Sequence, residues 1–149
     1  MKSLIIALAF LFLPFSVHAS DIRGASVFAQ VNAQRAAQHQ RALVPNAQLV
    51  KAAQLKADDM AKNGYFAHRS PQGKSLVTFI NQVKYPYSIA GENLAQGYGS
   101  TESLVYAWMH SPTHKANILE ASYTETGIAI AQGKNGLLVV QMFGRPINR

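Results

Sequence analysis

The sequence contains no cysteine, one tryptophan and only 7 acidic residues among 149. Without cysteine there can be neither disulfides nor thiolate metal ligands, so the fold must stand on its apolar core. Past residue 19, no segment approaches the roughly 20 consecutive apolar residues that a membrane-spanning helix requires. There is no internal repeat and no low-complexity stretch, which argues against a solenoid or a linker protein. Acidic residues are outnumbered by 14 lysines and arginines, for a net charge of +7. That balance suits association with acidic cell-surface polymers or lipid headgroups. The basic residues, Arg35, Arg41, Lys56 and Arg145 among them, are spread evenly and form no run. Nucleic acid is therefore an unexpected partner, and the charges read as a solvated surface.

What is present begins with a leader. Lys2 precedes an apolar run over residues 4–15, and Val17-His18-Ala19 supplies a cut site. This is the layout of a secretory signal peptide, 1–19, giving a secreted or periplasmic chain. The remainder, 20–149, has the size of one domain with one core. Loss of Lys2 takes the net charge from +7 to +6.

From residue 24 to about residue 40 the chain is rich in alanine and glutamine and reads as a helix, with Phe28 and Val31 inward beside Ala25 or Ile22. Asn46 is placed to cap a second helix, in which Leu49, Ala53, Ala57, Met60 and Ala61 recur at spacings of three and four. Asn63-Gly64 ends it as a left-handed cap. Residues 76–83 fit one or two helical turns before Pro86, and 88–95 fit a short strand. Ser100 or Thr101 caps a further helix reaching about His110, with Glu102 favoured in its first turn. Ser111-Pro112 opens another. Finally, Asn135-Gly136 between two apolar runs signals a β-hairpin, because both residues accept positive φ. Helices first and a hairpin last indicate an α+β fold.

Three segments carry candidate chemistry. His68 follows a helix end and precedes the turn Ser70-Pro71-Gln72-Gly73; alone, a loop histidine is as readily a surface residue. Glu92, beside Gly91 and Asn93 in an apolar stretch, needs a partner, whether histidine, arginine or metal, because an unpaired buried charge is costly. With Ser111 as N-cap and Pro112 as N1, His114 is N3, where the helix dipole favours neutral imidazole. Neutral imidazole binds metal or accepts a proton. Asn117 shares the face of His114 and is placed to orient a neighbour. Trp108 suits the core or a cleft wall.

Phe66 to Gly73, Gly91-Glu92-Asn93-Leu94, Trp108 through Leu119, and the final hairpin occur in an order that resembles the CAP superfamily. This is the SCP domain of cysteine-rich secretory proteins, antigen 5 and pathogenesis-related 1 proteins, and the likeness is greatest to its short, cysteine-free bacterial branch. The resemblance implies an α-β-α sandwich with a small antiparallel sheet between helical layers. It also implies a cleft in which His68 and His114 are the two histidines and Glu92 the first acid. The second acid normally lies three residues after the tryptophan, where this chain has Ser111.

Two functions follow as expectations. One is an extracellular binding or interaction module whose cleft takes a small ligand or a cell-envelope component and holds zinc or another divalent metal on His68 and His114. The other is a hydrolase in which such a metal activates water and Glu92 serves as base or third ligand. Ser111 as nucleophile is disfavoured on the expectation that its hydroxyl caps the helix.

Overall fold

The computed structural model describes residues 22–147. The signal peptide expected over 1–19 lies outside the described residues. Five helices and four strands follow in the order α1 (Gly24–Ala37), β1 (Val44–Pro45), α2 (Ala47–Asn63), α3 (Leu76–Gln82), β2 (Tyr87–Gln96), α4 (Thr101–Met109), α5 (Pro112–Leu119), β3 (Glu125–Gly133) and β4 (Gly136–Pro146). The spatial order of strands is β1-β3-β4-β2. β2, β4 and β3 are antiparallel neighbours, as expected, while the two-residue β1 adds a parallel edge beside β3. In sequence Val44-Pro45 signals only an interruption between helices. Val44 N donates to Thr124 O (2.9 Å) and Asn46 N to Thr126 O (2.9 Å), so the approach to α2 pairs in passing.

Strand alternation divides the core into two layers. Val139 and Phe143 of β4, with Ile128 of β3, face a cluster built with Val27, Val31, Leu104, Trp108 and Ile118 from α1, α4 and α5. Leu138, Val140 and Met142, with Ala129, face the opposite cluster of Leu49, Ala53, Ala57, Met60, Phe79 and Ile80 from α2 and α3. A strand buried on both faces reads as the apolar run seen from residue 137 to 143, broken only at the buried Gln141. The result is the α-β-α sandwich. Gly127 sets its closest seam, for a Cβ there would overlap the backbone of Leu49 and Val50 in α2.

The caps follow their local chemistry. Asn46 Oδ1 accepts from Gln48 N (2.9 Å) and Leu49 N (3.1 Å), and Gly64 takes the left-handed conformation at φ 67°. Ser100 Oγ accepts from Ser103 N (3.2 Å) at the start of α4. The hairpin forms, but its two-residue turn is Lys134-Asn135, and Gly136 alone takes positive φ, at 103°.

Two basic residues do not belong to the solvated surface. Arg35 is 1 % exposed, and Lys56 is fully buried. Arg35 donates from Nη1 to Ile118 O (2.7 Å) and Glu120 O (2.9 Å) and from Nε to Arg41 O (2.7 Å). A guanidinium is thus buried at the carboxyl end of α5, where orphan carbonyls and the helix dipole both favour a cation.

Asn46 also joins two layers, since its Nδ2 donates to Glu125 Oε2 of β3 (3.1 Å). Asn46→Ala should lower stability by about 0.5–2 kcal/mol, the range for a lost polar cap. Asn46→Ser, which keeps a cap acceptor, should recover most of the loss. Urea unfolding followed by Trp108 fluorescence measures both, and an alanine variant as stable as the parent would contradict the cap's role.

Candidate functional site

The site is organised around β2, an edge strand of the sheet. An edge strand presents unpaired backbone groups that must be covered. Here the helices supply donors: Trp108 Nε1 of α4 donates to Leu94 O (3.0 Å), and Asn117 Nδ2 of α5 donates to Glu92 O (3.0 Å). The same amide donates to Asn93 Oδ1 (2.9 Å), whose own Nδ2 donates to His114 O (3.1 Å). Asn117 therefore orients a neighbour, as its place on the helix suggested. Gly91 makes room for this packing, because a Cβ there would overlap the Tyr123 hydroxyl.

Alternation along β2 sends Glu92 to the α2 side and Asn93 to the α5 side. Glu92 is 6 % exposed, and its Oε1 lies 2.7 Å from His68 Nδ1. Its Oε2 is buried with no protein partner. The loop bearing His68 is held from beneath by the buried Lys56 of α2, whose Nζ donates to Ala67 O (2.8 Å) and His68 O (2.9 Å). Ser70 closes the turn, its Oγ accepting from Gln72 N (3.2 Å) and Lys74 N (3.0 Å), and Lys74 Nζ returns to Asp59 Oδ1 of α2 (2.6 Å).

Electrostatics separates the two histidines. The hydrogen bond to Glu92 raises the His68 pKa above its ordinary 6.5, against burial and the nearby Lys56 charge. His114 moves the other way: burial lowers its pKa, and the charge of His68 lowers it further. Neutral His114 was the expectation from the helix start, and burial is the larger cause. Lys56 is itself lowered by burial, with Glu92 and Asp59 opposing.

Ser111 departs from expectation. It is the N-cap residue of α5, with Pro112 at N1, yet its side chain caps no backbone N–H. Its Oγ instead lies 2.8 Å from His114 Nδ1. A cleft of about 240 Å³ opens beside this pair, walled by Phe66, Leu94, Tyr98 and Trp108 and edged by Ser111 and His114. Trp108 is both core, at 2 % exposed, and cleft wall. Tyr98 escaped the sequence reading, since nothing in a Gly-Tyr-Gly loop says which way the ring turns. His68 and Glu92 are not among the lining residues.

Among the described residues, no three His, Cys, Asp or Glu side chains are grouped as a metal site. Glu92 is instead paired through Oε1 with one of the two histidines, His68. His110 caps α4, exposed and stacked on Tyr106 with ring centroids 3.8 Å apart.

A family model described as CAP, the cysteine-rich secretory protein family, matches residues 28–143. The chain belongs to the CAP family. It is 35% identical over 112 residues to the uncharacterized protein YkwD of Bacillus subtilis, covering 75% of this chain and 43% of YkwD. An extracellular SCP-domain protein of Bacillus anthracis superposes with a TM-score of 0.73 at 26% identity, over 81% of this chain and 39% of that one. An outer surface protein of Borrelia burgdorferi shares the fold, with a TM-score of 0.75 at 21% identity over 81% of this chain and 90% of its own. This CAP chain therefore spans less than half of YkwD and of the anthracis protein. Among its described residues no helix is long and apolar enough to cross a membrane.

The His68–Glu92 contact has a measurable consequence. A histidine whose folded pKa is raised contributes stability that is fully present below about pH 6.5 and lost as pH rises through the folded value. His114, lowered, contributes in the opposite sense, its stability being lost as pH falls through its folded value. Glu92→Gln should bring the His68 pKa down toward 6.5, read from imidazole NMR shifts, and should remove the stability lost on raising pH. An unchanged His68 titration would show that Glu92 does not hold its proton.

Proposed function

We propose that this CAP domain is an extracellular binding module whose cleft takes a small ligand or envelope component with an apolar body and a hydrogen-bonding group. The observation that carries this reading is the cleft itself, aromatic over Phe66, Tyr98 and Trp108 and polar at Gln96 and where Ser111 and His114 meet. Its size is close to the roughly 300–1,000 Å³ of small-ligand pockets, with few polar groups fixing orientation. Serine in place of the family's second acid removes a carboxylate from the cleft edge and supports binding without turnover. Secretion or periplasmic residence, expected from residues 1–19, fits the same role.

A divalent metal is the second reading, and the donor chemistry fits it. His68 and His114 each commit Nδ1 to a side-chain oxygen, and neither Nε2 has a protein partner among the described residues. Metal-bound histidines commonly use their other nitrogen in this way. His68 and His114 would be the ligands, and a bound zinc or similar ion would polarise a carbonyl or a water, the chemistry of the hydrolase alternative. Glu92 would fix the His68 ring through Nδ1 and leave Nε2, once deprotonated, as the ligand atom.

Trp108 is the sole tryptophan and reports on the cleft directly. A fragment library of apolar alcohols and amides should give ligands that change its fluorescence. Phe66→Ala and His114→Ala should each weaken them about tenfold, or ~1.4 kcal/mol. Ligands indifferent to both substitutions would remove the cleft from this account. For the metal, calorimetric titration with zinc should show tighter uptake at about pH 7.5 than at about pH 5.5, because His68 must lose its proton. Uptake that survives the double substitution His68→Ala and His114→Ala would locate the ion elsewhere.

A further inference from the structure

A second concavity, of about 400 Å³, lies away from the histidines, lined by Arg41, Ala42, Val44, Ser122, Tyr123, Thr124 and Arg145 among others. Its floor is the segment joining α5 to β3. Thr124 N donates to Gly144 O (3.0 Å) and Thr124 O accepts from Val44 N (2.9 Å), so that segment lies between the two strands beside which the arginines stand. Arg41 and Arg145 are both exposed. Among the described residues neither guanidinium has a hydrogen-bond or ion-pair partner. This contrasts with Arg35, whose donors are spent on three carbonyls. The neighbouring carboxylates are engaged as well: Glu120 Oε1 accepts from Ser122 N (2.8 Å), and Glu125 Oε2 accepts from Tyr85 OH (2.7 Å) and Asn46 Nδ2 (3.1 Å).

We propose that this groove is an anion site for the phosphate groups of an extended polymer, independent of the histidine cleft. Two unpartnered guanidinium forks and Thr124 line one concavity, the Ser122 side chain being engaged by Glu120. So many donors exceed what one carboxylate can accept, whereas the oxygens of a phosphate chain can satisfy them. Arg forks match phosphate oxygens in pairs, which a lysine cannot do. The groove is larger than one phosphate needs, and its apolar sides, Ala42, Val44 and Tyr123, suit the spacer between successive phosphates. The +7 chain adds long-range attraction for such a polymer.

The test is a titration of the protein with short linear polyphosphate at fixed ionic strength. Arg41→Gln with Arg145→Gln should weaken binding about tenfold or more, whereas Lys51→Gln with Lys62→Gln, which removes the same charge from α2, should change it less than about twofold. All four are surface side chains, so an unchanged thermal midpoint verifies folding. Arg41→Lys with Arg145→Lys should recover only a minor part of the loss. Equal losses in the arginine and α2 lysine pairs would overturn the site as mere net charge, and full rescue by lysine at 41 and 145 would overturn the fork. Polyglutamate should bind more weakly than polyphosphate; equal affinity would overturn the choice of phosphate. Phosphatidylglycerol vesicles bound as tightly, with the same arginine dependence, would overturn the polymer in favour of a lipid surface. His68→Ala and His114→Ala should leave polyphosphate binding intact, which separates this test from that of the cleft.

Discussion

The burial of one carboxylate organises this side of the molecule. An unpaired charge at 6 % exposure would cost several kcal/mol, enough to threaten a domain of this size. The fold answers with two basic groups from different places. His68 reaches Glu92 Oε1 directly, and the Lys56 ammonium contributes from beneath while donating to the carbonyls of residues 67 and 68. Lys56 is therefore compensated twice, by the Glu92 field and by backbone dipoles, and its position dictates that of the loop. Without the lysine the two carbonyls lose their donor, and without the loop the carboxylate loses its histidine. The turn at Ser70 and the Lys74–Asp59 contact close the same loop onto α2.

β2 transmits this arrangement across the sheet. A single strand carries Glu92 toward α2 and Asn93 toward α5, so the two histidines belong to opposite layers yet couple through space. The side-chain donors of Trp108 and Asn117 satisfy an otherwise open strand edge and at the same time bring α4 and α5 to the cleft. Structural need and site geometry are met by the same bonds. The close seam at Gly127 does similar work on the far side of the sheet, where it brings α2 onto β3. That placement puts Lys56 within reach of the loop it supports.

Features governed by neighbours in sequence were legible before the structure. Asn46, Gly64 and Ser100 end or start helices because a side-chain acceptor or a positive φ solves a problem within four residues. The α2 stripe and the hairpin follow from periodicity. Arg35 and Lys56 looked like surface charges because what buries them is remote or irregular: carbonyls at 118 and 120 for the one, and a loop folded back on its own helix for the other. Ser111 was legible as a cap position and misread as a cap bond. Its hydroxyl has two acceptable partners, a backbone N–H or the ring three residues on, and local pattern does not choose between them.

The histidine pair also disfavours charge at the cleft edge. A proton on His68 is favoured by Glu92 and disfavours a second proton on His114, which burial already opposes. When the pair carries a single proton, that proton is thus favoured on His68, outside the cleft lining, which leaves an uncharged imidazole hydrogen-bonded to Ser111 at the cleft edge. An acid at position 111 would reverse that balance by stabilising imidazolium on His114. Serine keeps the ring able to donate or accept without a charge to desolvate, a condition that suits an aromatic-walled cleft, where burying an ion against Phe66 and Trp108 would be costly. Positive charge instead stands away from the cleft, at the exposed Arg41 and Arg145.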